Sequence, residues 1–224
     1  NKPELVVRPL TTEEVSKVMA MAYEHEIPVT PRGIASGRSG GSVPLKGGIS
    51  LSLDRMTKIL ELDEKNMMVT AEAGVRTFDL YNYCAAKGLF YPPDPASGRA
   101  CTLGGNLGEN AGGPHCLKYG VTSNHILGAE VVLPNGEQIW VGSKAADQPG
   151  PDVMGLLVGA EGTLGIATKI LVRLMRSPER VVTMLAIFKS VEAAGQTVSD
   201  IISEGIIPAT LEIMDNLVIR AVEE

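Results

Sequence analysis

PRGIASGRSGG, residues 31–41, places Gly33, Gly37, Gly40 and Gly41 among two serines and two arginines, directly behind the apolar run Ile27-Pro28-Val29. Glycine loses more backbone freedom on folding than any other residue, so such a cluster signals positive φ or a backbone that a ligand must approach closely. The residues just past the loop decide the fold. Gly37-Arg38-Ser39-Gly40-Gly41 satisfies the letter of a G-x-S-x-G nucleophile elbow, but an elbow needs a helix straight after it. Pro44 and Gly47-Gly48 forbid that helix, so Ser39 is not read as a hydrolase nucleophile. A doubly wound dinucleotide site likewise runs from its glycines into a helix. Here the loop runs into another strand, so a phosphate would be held by a strand-loop-strand and not by a helix end.

The residues before the loop read as strand, helix, strand. Leu5-Val6-Val7 is a short apolar strand, and Thr11 caps a helix reaching about His25, with Val15, Val18, Met19 and Ala22 on one face. After the loop, 48–53 alternates as a strand, and a charged hairpin-like stretch leads to Met67 through Ala71. Residues 77–87 read as a helix stopped by Gly88. The segment 91–113, YPPDPASGRACTLGGNLGENAGG, is too rich in Pro and Gly for a long element and admits one short helix near 103–110. Residues 129–133 and 138–141, joined by Pro134-Asn135-Gly136, read as a hairpin, 152–158 as a short helix and 166–174 as a strand.

Composition shifts at Arg176-Ser177-Pro178-Glu179. Beyond it, a strand at 181–188, a helix at 191–204 and a stretch opening Ile206-Ile207-Pro208 are too little to bury a core of their own. The expected division is therefore 1–177 as one domain and 178–224 as the incomplete start of a second.

A hydrophobic fraction of 44% suffices for a core, whereas 4% aromatics with 25 Gly and 14 Pro imply a loop-rich mixture of α and β. The net charge of −6 disfavours a general attraction to nucleic acid or anionic membrane. Cys84, Cys101 and Cys116 are odd in number, show no CxxC spacing and accompany no N-x-S/T site, which predicts a reduced, cytoplasmic setting. No apolar run is long enough to span a bilayer, and the N-terminus shows no signal-peptide pattern. His25-Glu26 has Val29 where a zinc helix needs its second His, and His115, Cys116 and His125 lack a second close pair, so no metal site is expected.

Four loops remain: 31–41, 93–97, 102–113 and 159–165. Each offers backbone N–H groups with little side-chain bulk, which suits a diphosphate or an anionic ring edge. Any one of them alone reads equally as a tight turn. Their order carries more. PRG with a small-residue loop and SGG-x-x-P, then PPDPAS, then GGN-x-x-x-NAGG with KYG, then G-x-EGTLGI together resemble the FAD-binding domain of the vanillyl-alcohol oxidase or p-cresol methylhydroxylase type. PPDPAS, NAGGPHCLKYGVT and VGAEGTLGIATKI look most like the flavin subunit of glycolate oxidase and the related D-2-hydroxy-acid (D-lactate) dehydrogenases.

The resemblance implies an α+β fold: a two-subdomain FAD-binding unit over 1–177, then the truncated start of a second α+β domain, the substrate cap. By position it implies that Pro31, Arg32, Gly33, Ile34, Ala35, Ser36, Gly37, Ser39, Gly40 and Gly41 surround the FAD diphosphate. Pro93, Asp94 and Ser97 would stand beside the flavin, although Asp94 between prolines also reads as a turn former. Thr102, Gly104, Gly105, Asn106, Asn110, Ala111 and Gly112, with Tyr119 and Gly120 of KYG, would line the cofactor, and Glu161, Gly165 and Ile166 its adenine and ribose end.

Two departures stand out. Ala35-Ser36 replaces the family's usual Gly-Thr, and the Cβ of Ala resists positive φ. Glu109 puts a negative charge on the cofactor-side helix, which requires it to point away from the phosphates or to cap a backbone group. The first loop holds no His and no Cys stands at an attachment position, so FAD is expected to be non-covalent. The implied reaction is oxidation of a 2-hydroxy acid such as glycolate or D-lactate by hydride transfer to flavin. Its base and metal ligands are expected outside this chain, and the chain alone is expected not to turn over. A flavin-fold alcohol or aldonolactone oxidase, or a non-catalytic FAD-binding module that assembles with other subunits, would share the same loops. Assembly with partner subunits would make the protein peripheral to the inner membrane.

Overall fold

Two sheets of opposite character share one core. The computed structural model describes residues 2–145 and 150–223. The chain opens with β1 (Leu5–Val7), α1 (Thr12–Glu24), β2 (Val29–Arg32) and β3 (Ile49–Ser52), whose strands make a three-stranded parallel sheet in the order β1-β3-β2. β3 lies in the middle and is buried along its whole length, as expected of a strand with neighbours on both sides. The glycine loop is the connection from β2 to β3, so it leaves the carboxyl end of one parallel strand and must return to the start of its neighbour.

The second sheet is antiparallel. β4 (Ile59–Asp63), β5 (Met68–Glu72), β7 (Ile126–Val132), β8 (Gln138–Gly142) and β9 (Ile166–Arg173) are ordered β4-β5-β9-β7-β8. Between β5 and β7 run α2 (Thr77–Ala85), the two-residue β6 (Leu89–Phe90), α3 (Leu103–Glu109) and α4 (Cys116–Tyr119), with a 3-10 turn over Thr122–Asn124. α5 (Val153–Leu157) precedes β9, and β10 (Met175–Arg176) pairs with β6. α6 (Val191–Ser203) and α7 (Asn216–Glu223) complete the described chain.

α1 joins the two sheets. Thr11 accepts a bond from the Glu14 amide, which starts the helix, and Val15, Met19 and Ala22 turn inward. At its first residue, the Thr12 hydroxyl donates to Glu130 of β7 at 2.6 Å, and the Lys169 ammonium of β9 lies 2.8 Å from the same carboxylate oxygen. Burial works against the Glu130 charge, but the bonds from Lys169, Thr12 and Thr168 outweigh it and hold its pKa below the usual value.

The expected strand at 181–188 is not formed. The residues are irregular, with Met184 at 89% and Ile187 at 90% exposure. An apolar run becomes a strand only beside an edge that can complete its ladder, and no described strand pairs with it. Past Ser177, Ala194 is the one buried hydrophobic side chain among the described residues. α7 was not expected from the sequence, and none of its described residues is buried.

His125 makes the core acid-sensitive. Its Nε2 bonds the Tyr119 carbonyl at 2.8 Å, whereas Nδ1 is buried without a partner. The ring stacks edge-on against Tyr91 at 6.0 Å. Donation from Nε2 leaves Nδ1 unprotonated, and burial lowers the pKa below the ordinary 6.5. A His whose folded pKa is depressed is stabilising above its unfolded pKa, and that contribution is lost as pH falls below about 6.5. Urea midpoints are expected to decline between pH 7 and 5.5, and His125→Gln to flatten that decline. An equal decline in the variant would contradict the assignment.

Candidate functional site

The β2–β3 connection, α3 and the turn before β9 converge on one cavity of about 220 Å³. Its first wall is the loop itself, with Pro31, Arg32, Gly33, Ile34, Ala35, Ser36, Gly37, Gly40 and Gly41 all lining it. Among the described residues, the backbone N–H groups from Gly33 to Ser42 meet no acceptor; the loop's internal bond runs from the Val43 amide to the Gly40 carbonyl. A run of free amides on one side of a cavity is a surface that an anion satisfies.

The second wall is α3. Thr102 caps it by accepting the Gly105 amide, and Gly104 lets it sit on the sheet, its amide bonding the Ala73 carbonyl at 2.8 Å. A β-carbon on Gly104 would stand 2.7 Å from that of Ala73. Thr102, Gly104, Gly105, Asn106 and Ala111 all face the cavity. Asn106 is fixed by a bond from its amide nitrogen to the Thr77 hydroxyl at 2.8 Å. Ser97 of the proline loop and Glu161, Gly165 and Ile166 of the 159–165 turn close the remaining sides.

Other residues named from the sequence lie off the cavity wall and hold the loops together. The Pro93 carbonyl accepts the Tyr81 hydroxyl. Asp94 stands 3.6 Å from His115 Nδ1. Asn110 ends α3 in the left-handed region, φ 48°, and its side chain accepts the Ser123 amide. Gly112 packs on Cys116. The Tyr119 carbonyl holds His125, and Gly120 ends α4 at φ 81°. Ser39 points its hydroxyl at Glu109, 2.9 Å from each carboxylate oxygen, and among the described residues no hydrogen bond joins it to a His.

Sequence reasoning missed the floor. Leu53, Ala73, Ala129, Val131, Leu157 and Ala167 supply it, with Ser42, Pro95, Cys101, Leu107, Gly108, Glu109 and Gly162 at the sides. The signal was present in the small residues alternating along β7, Ala129 and Val131, whose same-face spacing of two marks one surface of a sheet.

Ala35 adopts φ 59°. A left-handed conformation costs an L-residue about 1–2 kcal/mol, of which glycine returns part as lost chain entropy. Ala35→Gly is therefore expected to stabilise the protein by about 0.5–1 kcal/mol, raising Tm by roughly 2 °C in scanning calorimetry. A lowered Tm would contradict this.

A parallel β-loop-β with free amides over a small-residue floor, closed by a helix from a second sheet, defines a domain built to hold a nucleotide cofactor. The chain belongs to the FAD binding domain family, whose model matches residues 3–142; residues 177–224 match the C-terminal domain of FAD linked oxidases. The chain is 46% identical to glycolate oxidase subunit GlcD of Bacillus subtilis, over 99% of this chain and 47% of that protein. It is 44% identical to the Escherichia coli K12 subunit of the same name, over 100% and 45%, and 36% identical to D-lactate dehydrogenase of Anaerostipes hadrus, over 100% and 47%. The chain thus spans about half the length of the curated relatives it matches. Among solved structures, alkyldihydroxyacetonephosphate synthase superposes with a TM-score of 0.78 at 25% identity, over 91% of this chain and 40% of that one.

The residues present fit FAD: amides without acceptors suit a diphosphate, and an apolar floor suits flat aromatic rings. No helix among the described residues is long and apolar enough to cross a membrane. Among the described residues no three His, Cys, Asp or Glu side chains converge as a metal site would need.

Proposed function

We propose that this chain is the cofactor-binding part of an FAD-linked oxidoreductase that oxidises a 2-hydroxy acid of the glycolate or D-lactate class to the 2-oxo acid. The observation that carries the reading is a loop whose amides from Gly33 to Ser42 meet no acceptor among the described residues and whose residues, Arg38 and Ser39 apart, line the cavity together with α3; the names of the relatives supply the substrate class. In this reading the Gly33–Gly41 loop binds the diphosphate, Thr102 to Ala111 orient the cofactor along α3, and Glu161, Gly165 and Ile166 flank its adenosine end. When bound, FAD supplies the acceptor for the hydride that leaves the hydroxyl-bearing carbon. The chain's own task is to fix that acceptor in place and to keep water off its inner face with Ala129, Val131 and Leu157. We assign no catalytic base to residues 1–224.

The binding is read as non-covalent. Among the cavity-lining residues Cys101 carries the one thiol, and that thiol lies 3.2 Å from the Thr77 hydroxyl in the buried wall. The domain division at 177/178 and assembly with partner subunits, as in a multi-subunit oxidase peripheral to the inner membrane, belong to the same reading.

The test is a chimera in which this chain replaces the matching half of the Bacillus subtilis glycolate oxidase subunit. Retained flavin, released on acid precipitation, with dye reduction by glycolate or D-lactate is the expected result. A chimera that holds FAD and oxidises no 2-hydroxy acid would contradict the substrate class.

A further inference from the structure

Two carboxylates press on the glycine loop. Glu109, at the end of α3, holds the Ser39 hydroxyl through both oxygens, and its Oε1 would stand 2.9 Å from a β-carbon on Gly37. Glu161, held at φ 52° in the turn before β9, lies against Gly41, where a β-carbon would meet its Cδ at 3.2 Å. Both line the cavity, and they reach the two halves of the loop from different elements. The loop's own cations are Arg32 and Arg38. Arg32 is turned back on the Gly33 carbonyl at 3.4 Å, and Arg38 is exposed.

A wall of amides attracts any phosphate, whatever its charge. The carboxylates do not. Their repulsion grows with each negative charge on the ligand, whereas the amides gain little from charge beyond the oxygens they touch. The diphosphate of a dinucleotide is a diester with two charges. ADP and ATP end in a free phosphate and carry about one and two more.

On this basis we propose that Glu109 and Glu161 set the charge specificity of the cradle, admitting a diphosphate diester and turning away nucleotides that end in a free phosphate. The inference rests on the FAD-cradle reading above.

The test is calorimetric titration of the chain, and of Glu109→Gln and Glu161→Gln, with FAD, ADP-ribose and ADP at low salt without divalent cations. ADP-ribose and ADP share everything up to the second phosphate and differ beyond it by a ribose and a charge; the ribose is the same for every variant, so the change in the ratio of their Kd values between proteins isolates the terminal charge. In the unaltered chain ADP-ribose is expected to bind at least about tenfold more tightly than ADP, and each Gln variant to shrink that ratio by roughly fivefold, mainly by tightening ADP. Added salt narrows the ratio in the unaltered chain and has less effect in the variants. Both carboxylates are at exposed positions, so the variants fold, which circular dichroism checks. If FAD and ADP-ribose bind but the ratio is the same in all three proteins, the charge inference is overturned and the cradle stands. If none of the three binds FAD or ADP-ribose, the cradle reading falls and the inference with it.

Discussion

Gly33→Val is expected to weaken FAD binding by roughly 100-fold while the protein stays folded. Any side chain here is driven into the Thr102 side chain: a β-carbon would overlap its Oγ1 and stand 3.4 Å from its Cβ. Thr102 cannot turn away freely, because it is buried and its hydroxyl caps α3 by accepting the Gly105 amide. The loop must therefore swing off the helix, which opens the gap between the two walls that face the cavity. The hydrophobic core lies beneath α3 and not in the loop, with Leu103 and Leu107 packed among Val75, Leu80 and Ile170. The cost to stability is expected to be about 1 kcal/mol, the low end for a side chain forced into filled space, because the loop yields and the cap is kept. Fluorescence titration and a urea melt of the same variant separate the two effects; binding within threefold of the parent would show that the loop and helix do not act as opposed walls.

The second large effect is expected at Gly113. A β-carbon there would fall inside the carbonyl group of Asp94 and stand 3.0 Å from the Pro95 nitrogen, all of it backbone. Backbone cannot rotate out of the way as a side chain can. Gly113→Val is expected to force the 93–97 loop and the α3–α4 connection apart, at about 3 kcal/mol and a Tm lowered by roughly 10 °C. The His115–Asp94 pair spans the same junction, so its separation accompanies the loss. A Tm within 2 °C of the parent would contradict the packing described.

Local signals in the sequence were readable and long-range ones were not. α1 was marked at its first turn by Thr11 and along its length by Val15, Met19 and Ala22, and the β7–β8 hairpin by Pro134-Asn135-Gly136; local chemistry dictated both. The fold itself could be read because residues 31–41 are followed by a strand and not by a helix. The run at 181–188 misled because apolar composition registers the wish for a partner and says nothing of whether an edge is there. α7 escaped because none of its described residues is buried, although Asp215 caps it by accepting the Val218 amide. In the site, the glycines were visible and the floor was not: Ala73, Ala129 and Ala167 come together from separate segments of the chain, and that convergence is set by sheet order. The orientation of Glu109 toward Ser39, 70 positions away in the chain, is of the same long-range kind.

Whether the β2–β3 loop binds the diphosphate of FAD is decided most directly by a fluorescence titration of FAD with this chain. FMN and ATP are run alongside, since FMN carries the same ring without the diphosphate and ATP the phosphates without the ring. Saturable binding of FAD is expected, with FMN and ATP at least about tenfold weaker. Equal binding of FMN and FAD, or no saturable binding of FAD, would contradict a diphosphate cradle at this loop.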